Sequence, residues 1–166
     1  ELLREYNEQV NIYSKHSYDK LPFHAEDSTC LASIIRNDRL TVVDFGSGSG
    51  FPSIIIAIMN PNNKVYAVES KHKKCVFLEY VRHDLGLDNL IIINQNVFEF
   101  VRTVQFKVDV VTAKAFASFD KVYKLASVIS SKGMRIYIPY SKKQVDMVNQ
   151  DDIIYQDPFY YRQFRF

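Results

Sequence analysis

The sequence predicts an α/β fold: a mostly parallel, seven-stranded sheet with helices on both faces and an N-terminal helical cap over residues 1–40. Three observations carry this. A β-branched run, Thr41-Val42-Val43, ends at Asp44 and passes through Gly46, Gly48 and Gly50 into an apolar stretch, Ile54–Met59. That is the order strand, glycine turn, helix. Further short apolar runs recur at 64–68, 90–93, 108–112 and 135–138, alternating with stretches that suit helices, so parallel crossovers are required. The chain closes with two β-rich runs, 153–155 and 160–166, around Asp157-Pro158, a hairpin expected to supply one antiparallel strand.

Each element follows from local chemistry. Leu2, Leu3, Tyr6, Val10 and Tyr13 fall near helical spacing. Pro22 suits the first turn of a second helix, with Leu31, Ile34 and Ile35 on its buried side. Arg36-Asn37-Asp38-Arg39 is a polar link into the first strand. A helix is expected over 52–59, and Asn60-Pro61-Asn62-Asn63 is a turn. The second strand ends at Glu69. Ser70 is a candidate N-cap for a helix to about Leu85, with Cys75, Leu78, Val81 and Leu85 as its core stripe and Gly86 as its stop. Shorter helices are expected around 98–101, 119–129 and 141–149.

Composition sets outer limits. At 166 residues, 47% hydrophobic and 24% charged, the chain suits a single globular domain over 1–166. No apolar run approaches the roughly 20 residues of a membrane span, so no membrane association is expected. Cys30 and Cys75 lack metal-ligand spacing, no metal site is expected, and a reducing, cytoplasmic setting fits. A net charge of +2 does not by itself announce a nucleic-acid binder.

The glycine turn reads as a cofactor cradle, because glycines admit close approach and a helix start offers unpaired N–H groups. Spacing narrows the cofactor. The dinucleotide fingerprint needs a third glycine five residues after the first, and Phe51 stands there. No Gly-Lys-Ser/Thr follows, so a P-loop is excluded. What remains, Asp44-x-Gly46-x-Gly48-x-Gly50, resembles motif I of the Rossmann-like class I methyltransferases, which use S-adenosylmethionine (SAM). Glu69 comes 23 positions after Gly46, at the end of the next strand, where a carboxylate can accept from both hydroxyls of a ribose. Lys71, His72, Lys73 and Lys74 open the following helix against its dipole, which suits either a solvated face or a phosphate partner. His24, Asp27 and Ser28 are too close in sequence to form a hydrolytic triad. A capping role is expected for Asp27 or Ser28. Among the aromatics after the fourth strand, Phe119 and Tyr123 are expected in the core.

Four segments together resemble the 16S ribosomal RNA guanine-N7 methyltransferase family (RsmG, also called GidB). They are Asn11-Ile12 with His24-Ala25-Glu26-Asp27-Ser28; Val43 to Pro52; Glu69 to Lys74 with Phe77-Leu78; and Thr112-Ala113-Lys114-Ala115-Phe116-Ala117-Ser118. The resemblance spans roughly residues 6–140. It implies a SAM-dependent methyltransferase acting on N7 of a guanine in 16S rRNA. Cofactor contacts are implied at Gly46, Ser47, Gly48, Phe51, Glu69, Ser70, Val97, Phe98 and Lys114. Lys114 and Phe116 would position the reactants, and Lys71, Lys73 and Lys74 would bind RNA. No acid–base residue is required, because guanine N7 carries a free lone pair. The chain departs from the family in three places: Lys114 stands where the family usually has Arg, Asn96-Val97-Phe98-Glu99 replaces an Arg-x-Glu segment, and Pro139-Tyr140 replaces Lys-Gly. The implied partner is 16S rRNA or the 30S subunit, and a monomer is expected. The alternatives are a small-molecule methyltransferase and a catalytically silent SAM- or RNA-binding protein of the same fold.

Overall fold

A computed structural model describes residues 1–36 and 38–166. Asn37, read from sequence as part of the polar link into the first strand, lies outside the described residues. In chain order the elements are α1 (Leu2–Gln9), α2 (Leu21–Ile35), β1 (Thr41–Phe45), α3 (Ser53–Met59), β2 (Lys64–Glu69), α4 (His72–Asp84), β3 (Leu90–Asn94), α5 (Val97–Thr103), β4 (Val110–Thr112), α6 (Phe119–Val128), β5 (Arg135–Tyr140), α7 (Lys142–Val145), β6 (Ile153–Gln156) and β7 (Phe159–Arg165). A 3-10 turn at Lys15–Lys20 precedes α2, and another at Gln150–Asp152 precedes β6.

The described residues form a seven-stranded sheet in the order β3-β2-β1-β4-β5-β7-β6. Strands β1 to β5 pair in parallel, and β7 runs against β5 and β6. The α/β class and the closing hairpin therefore match the expectation. The chain starts in the middle of the sheet, winds out to β3, then returns to β4 on the other side of β1. This reversal puts the topological switch point between β1 and β4, where open α/β sheets hold ligands at the C-terminal strand ends.

Strand alternation builds one core on each face. Val42, Val65, Ala67 and Val110 face the side covered by α1 to α4, with Leu3, Leu31, Ile35, Ile56, Phe77 and Leu78. Val43, Phe45, Val68 and Val111 face the other side, with Phe100 and Val101 of α5 and Val122 and Leu125 of α6. Each fully buried aliphatic or aromatic side chain contributes about 1.5–3 kcal/mol, and these two layers hold the strand ends in place. Phe119 and Tyr123, expected in the core, are half-buried and pack against the outside of the second layer.

Several boundaries differ from the sequence reading for identifiable reasons. Ser70 does not cap α4; Lys71 occupies the N-cap, and the Glu69 carboxylate accepts the Lys71 N–H at 2.8 Å. Leu85, expected in the core stripe of this helix, is its C-cap and is exposed, because the chain leaves the helical path there. Asp27 and Ser28 do not cap either. They lie inside α2, where Ser28 Oγ donates back to the His24 carbonyl at 2.7 Å. The polar helix expected at 141–149 is only α7, Lys142–Val145. Val145 is its one buried residue, too little apolar surface to hold more turns against the sheet.

Candidate functional site

The site is built on the switch point. In the β1–β4 pairing Asp44 sits beside Thr112, and Thr112 Oγ1 donates to Asp44 Oδ1 at 2.9 Å. Asp44 is 1% exposed, and its Oδ2 has no hydrogen-bond partner. Burial pushes this carboxyl up to about 6, although the hydrogen bond from Thr112, the nearby hydroxyls of Ser47 and Ser53 and the charge of Lys114 pull the other way. Ser53 Oγ, in the first turn of α3, is buried and also unpartnered.

Beyond Asp44 the glycine turn is held to β2. Gly46 N–H and Ser47 N–H both donate to the Val68 carbonyl, at 2.9 and 3.1 Å. Gly48 N–H donates to Glu69 Oε2 at 2.9 Å. The carboxylate of Glu69 is thus fixed through both oxygens, by Gly48 on one and Lys71 on the other. A carboxylate offers about four acceptor sites, so two remain for a ligand that displaces the long 3.5 Å contact from Ser70 Oγ. Gly46 (φ 72) has no room for a side chain, because a Cβ there would stand 2.5 Å from the Phe116 ring. Gly50 (φ 91) is excluded from side chains by the opposite neighbour: a Cβ would run into Ile54 and Leu78 of the helical layer. The first glycine serves the crevice and the third serves helix packing.

The third wall comes from β4 and α2. Ala115, at φ 52, turns the chain sharply after β4, and its two neighbours reach different places. Phe116 lies over Gly46 and meets Phe45 edge-on at 6.3 Å. Lys114 reaches α2, where its ammonium pairs with Asp27 Oδ2 at 2.5 Å and donates to the His24 carbonyl at 3.4 Å. The imidazole of His24 is lowered from its ordinary value, first by burial and then by the charge of Lys114, so it is neutral at pH 7. Its Nδ1 is buried without a partner.

These walls enclose a cavity of about 240 Å³ lined by Ile12, Tyr13, His24, Gly46, Ser47, Gly48, Ser49, Phe51, Lys74, Lys114 and Ala115. Six of the residues picked from sequence therefore meet here: Gly46, Ser47, Gly48, Phe51 and Lys114, picked as cofactor contacts, and Lys74, picked as an RNA contact. Glu69 adjoins through its bond to Gly48. Ser70, Val97 and Phe98 do not line the cavity. Ser70 Oγ stands 3.5 Å from Glu69 Oε1, and Val97 is buried in the second core. Phe98 is exposed at the start of α5, with the Lys121 ammonium 4.9 Å from its ring centre. Asn96, one of the departures noted above, caps α5 by accepting the Phe98 N–H at 2.9 Å. A second cleft of about 760 Å³ adjoins, lined by residues 7–9 and 11–16 together with Lys71, Lys73 and Lys74. Lys73 Nζ donates to the Asn11 carbonyl at 2.6 Å, and Lys74 lines both spaces.

His24, Asp27 and Tyr161 were missed as parts of the site. His24 and Asp27 lie on α2, well before the glycine turn in sequence, and Lys114 joins them to the same cavity wall. Tyr161 OH donates to both the carbonyl and Oδ1 of Asp27, at 2.7 and 2.8 Å. Only the His24–Ser28 segment, as one of the four resembling segments, carried any advance signal.

Comparison with known proteins gives a consistent picture. The family described as GidB, rRNA small subunit methyltransferase G, matches residues 1–157. Curated relatives named ribosomal RNA small subunit methyltransferase G include those of Fusobacterium nucleatum (33% identical, covering 66% of this chain and 48% of that protein). That of Brachyspira hyodysenteriae is 32% identical over 82% of this chain and 65% of its own length. That of Pseudomonas putida is 35% identical over 72% of this chain and 55% of its own length. The chain thus spans about half to two thirds of the length of these relatives. Among solved structures, MtNAS in complex with MTA and tNA aligns at a TM-score of 0.69 and 17% identity, over 99% of this chain and 70% of that one. The fibrillarin/Nop5p complex aligns at 0.61 and 17%, over 86% and 83%. These structural likenesses bear on the fold alone.

Proposed function

The chain belongs to the GidB family, rRNA small subunit methyltransferase G, and from that membership we propose that it transfers a methyl group from SAM to N7 of a guanine in 16S rRNA. The observation that carries this is the cavity at the switch point, where the glycine turn, the acid at the end of β2 and a lysine after β4 converge.

The residues present fit SAM. A buried acceptor without a donor, Asp44 Oδ2, stands beside the turn, and a cationic ligand group is the chemistry it lacks. Glu69 keeps two acceptor sites for a ribose diol. Lys114 and Lys74 bring positive charge to the same cavity, suited to a carboxylate. Bound SAM supplies an electrophilic methyl group on a sulfonium. Everything else falls to the chain. Gly46 and Phe116 set how closely a ligand approaches the turn, Glu69 and Asp44 orient it, and Lys114 fixes charge at the cavity wall. Guanine N7 is nucleophilic as it stands, so the site has no proton to remove. Alignment of the reactants is then the main source of rate, and effective molarities of well-aligned pairs reach ~10⁵–10⁸ M. Lys71, Lys73 and Lys74, beside the adjoining cleft, supply phosphate contacts for the RNA.

The substrate is the small-subunit rRNA, free or within the 30S subunit, and the enzyme acts as a monomer in the cytoplasm. No helix among the described residues is long and apolar enough to cross a membrane. The test is transfer of labelled methyl from SAM to small subunits that lack the modification, followed by mapping of the modified base. Incorporation at one guanine N7 supports the reading. No incorporation, or transfer to a small molecule instead, overturns it.

A further inference from the structure

Tyr161 lies on β7, the one strand that runs against the parallel set, and is 134 residues away in sequence from Asp27. It is 0% exposed, among the largest fully buried side chains of the protein. Its hydroxyl meets Asp27 at two oxygens, the main-chain carbonyl at 2.7 Å and Oδ1 at 2.8 Å. The other carboxylate oxygen, Oδ2, holds the Lys114 ammonium. The side chains of Lys114 and Asp27 are 13% and 5% exposed, so little water competes for any of these contacts. One line of hydrogen bonds and charge therefore runs from the closing hairpin through α2 to the wall of the cavity.

A lysine ammonium is a point charge on a four-carbon stem with about 2 kcal/mol of rotamer entropy to lose when fixed. It does not orient itself. Asp27 gives it one direction, and Tyr161 gives Asp27 one direction, because a hydroxyl bound to both its carbonyl and its carboxylate fixes that side chain against its own backbone. We infer that Tyr161 is a positioning residue for the cavity: through Asp27 it sets where the Lys114 ammonium stands. Burial and the negative charge of Asp27 raise the phenol far above its ordinary value, so it remains a donor wherever the protein is folded near neutral pH. For its effect on turnover the inference rests on the methyl-transfer reading; for the placement of Lys114 it does not.

The test separates the two. Parent and Tyr161→Phe are treated briefly with limiting acetic anhydride at one pH, and acetylation is mapped lysine by lysine by mass spectrometry. Tyr161→Phe keeps the ring and removes the hydroxyl. Lys114 should acetylate at least threefold faster in this variant, while Lys64 and Lys107 are unchanged. Tyr137→Phe, an equally buried tyrosine on β5 with no contact to Asp27, is the control for general loosening and should leave Lys114 protected. Equal Lys114 labelling in parent and Tyr161→Phe overturns the inference, as does a rise of the same size in Tyr137→Phe. Single-turnover methyl transfer gives the second readout. Tyr161→Phe should slow it about threefold to tenfold at saturating SAM, and should have no further effect in a Lys114→Gln background. A parent that transfers no methyl group but shows the labelling difference defeats the proposed function and leaves the positioning role standing. A turnover loss that persists undiminished in Lys114→Gln overturns the role assigned through Lys114.

Discussion

Two polar regions of this protein, one at each end of the same strands, handle burial in opposite ways. At the N-terminal ends, three asparagines tie the loops together. Asn63 Oδ1 accepts from the Asp38 and Leu40 amides at 3.0 and 2.9 Å, and its Nδ2 donates to the Arg36 carbonyl at 2.7 Å. Asn89 Nδ2 reaches the carbonyls of Ala57, Asn60 and Asn63, and Asn60 Nδ2 that of Ala32. At the C-terminal ends, around the glycine turn, Asp44 Oδ2, Ser53 Oγ and His24 Nδ1 are buried and have no partner. Unpaired buried polar atoms cost roughly 1–3 kcal/mol each, so they are not there for stability. The paired end holds the fold; the unpaired end is left with valence for a ligand. The two ends should therefore fail differently when mutated.

The largest effect is expected at the crevice. Gly46→Val places a branched side chain at φ 72 and against the Phe116 ring. SAM affinity should fall by roughly 100-fold or more, equivalent to about 2.7 kcal/mol, as read by calorimetric titration. Retained affinity would remove the glycine turn from the site. The matching change at the other end is Asn63→Ala. It strands two amides and a carbonyl, and unfolding free energy should drop by about 2–4 kcal/mol. Denaturant titration checks this, while SAM affinity of the folded protein stays within about twofold. A loss of SAM affinity on the same scale as Gly46→Val would erase the contrast between the ends.

How far this division was visible in the sequence depends on the range of the contacts. Strand order and the glycine turn are written in local patterns: β-branched runs, glycines at fixed offsets, and an acid at the next strand end. Glu69 was found because its partners, Gly48 and Lys71, lie close by in the same unit. Asp27 was misread because Asp and Ser are favoured N-cap residues, and local pattern offered no other partner for them. Its true partners, Lys114 and Tyr161, come from β4 and β7, and nothing in residues 20–35 encodes them. The unpaired state of Asp44 was equally hidden, since it depends on burial between β1, β4 and α3 rather than on neighbours in sequence.

Asp44 offers a pH test of the unpaired end. Its carboxyl is raised in the folded protein from 3.8 to about 6. Between those values the native state keeps a proton that the unfolded chain has lost, so stability falls as pH rises through the window. The two-unit difference corresponds to roughly 3 kcal/mol at pH 7. Asp44→Asn should therefore be less stable than or equal to the parent at pH 4 and more stable at pH 7, by thermal or urea unfolding without ligand. Parallel pH profiles for parent and variant would mean that Asp44 is not an unsatisfied carboxyl.

A smaller effect is expected at Lys114. Replacing it with alanine would leave the buried Asp27 carboxylate unpaired, at a cost of about 3–5 kcal/mol, and would confuse folding with function. Lys114→Gln keeps a donor for Asp27 and removes only the charge. Single-turnover methyl transfer should fall by roughly tenfold, about 1.4 kcal/mol in the barrier, whereas Lys114→Arg keeps or raises it. An unchanged rate in Lys114→Gln would show that the charge at this wall of the crevice does no work.

The smallest effect per residue is expected on the rim. Lys71, Lys73 and Lys74 open α4 against its own dipole, an arrangement that costs a few tenths of a kcal/mol per charge by rough estimate. Lys73 is partly accounted for by its bond to the Asn11 carbonyl, which ties α4 to the segment after α1. Lys71 and Lys74 have no such structural use, and both line the cleft beside the cavity. If the three contact phosphates, counterion release makes RNA affinity fall with salt, with a slope of about 0.7 per contact on single strands. Replacing all three with Gln should flatten the plot of log affinity against log salt by up to about 2, with Lys73→Gln giving the least of the three singly. SAM affinity should change little in Lys71→Gln and Lys73→Gln, and should fall modestly wherever Lys74, which also lines the cofactor cavity, is replaced. The measurement is RNA or 30S binding across a salt series for the parent, the triple variant and each single variant. A slope that stays the same would make the lysine run a solvated face, and the unpaired end of the sheet would then serve the cofactor alone.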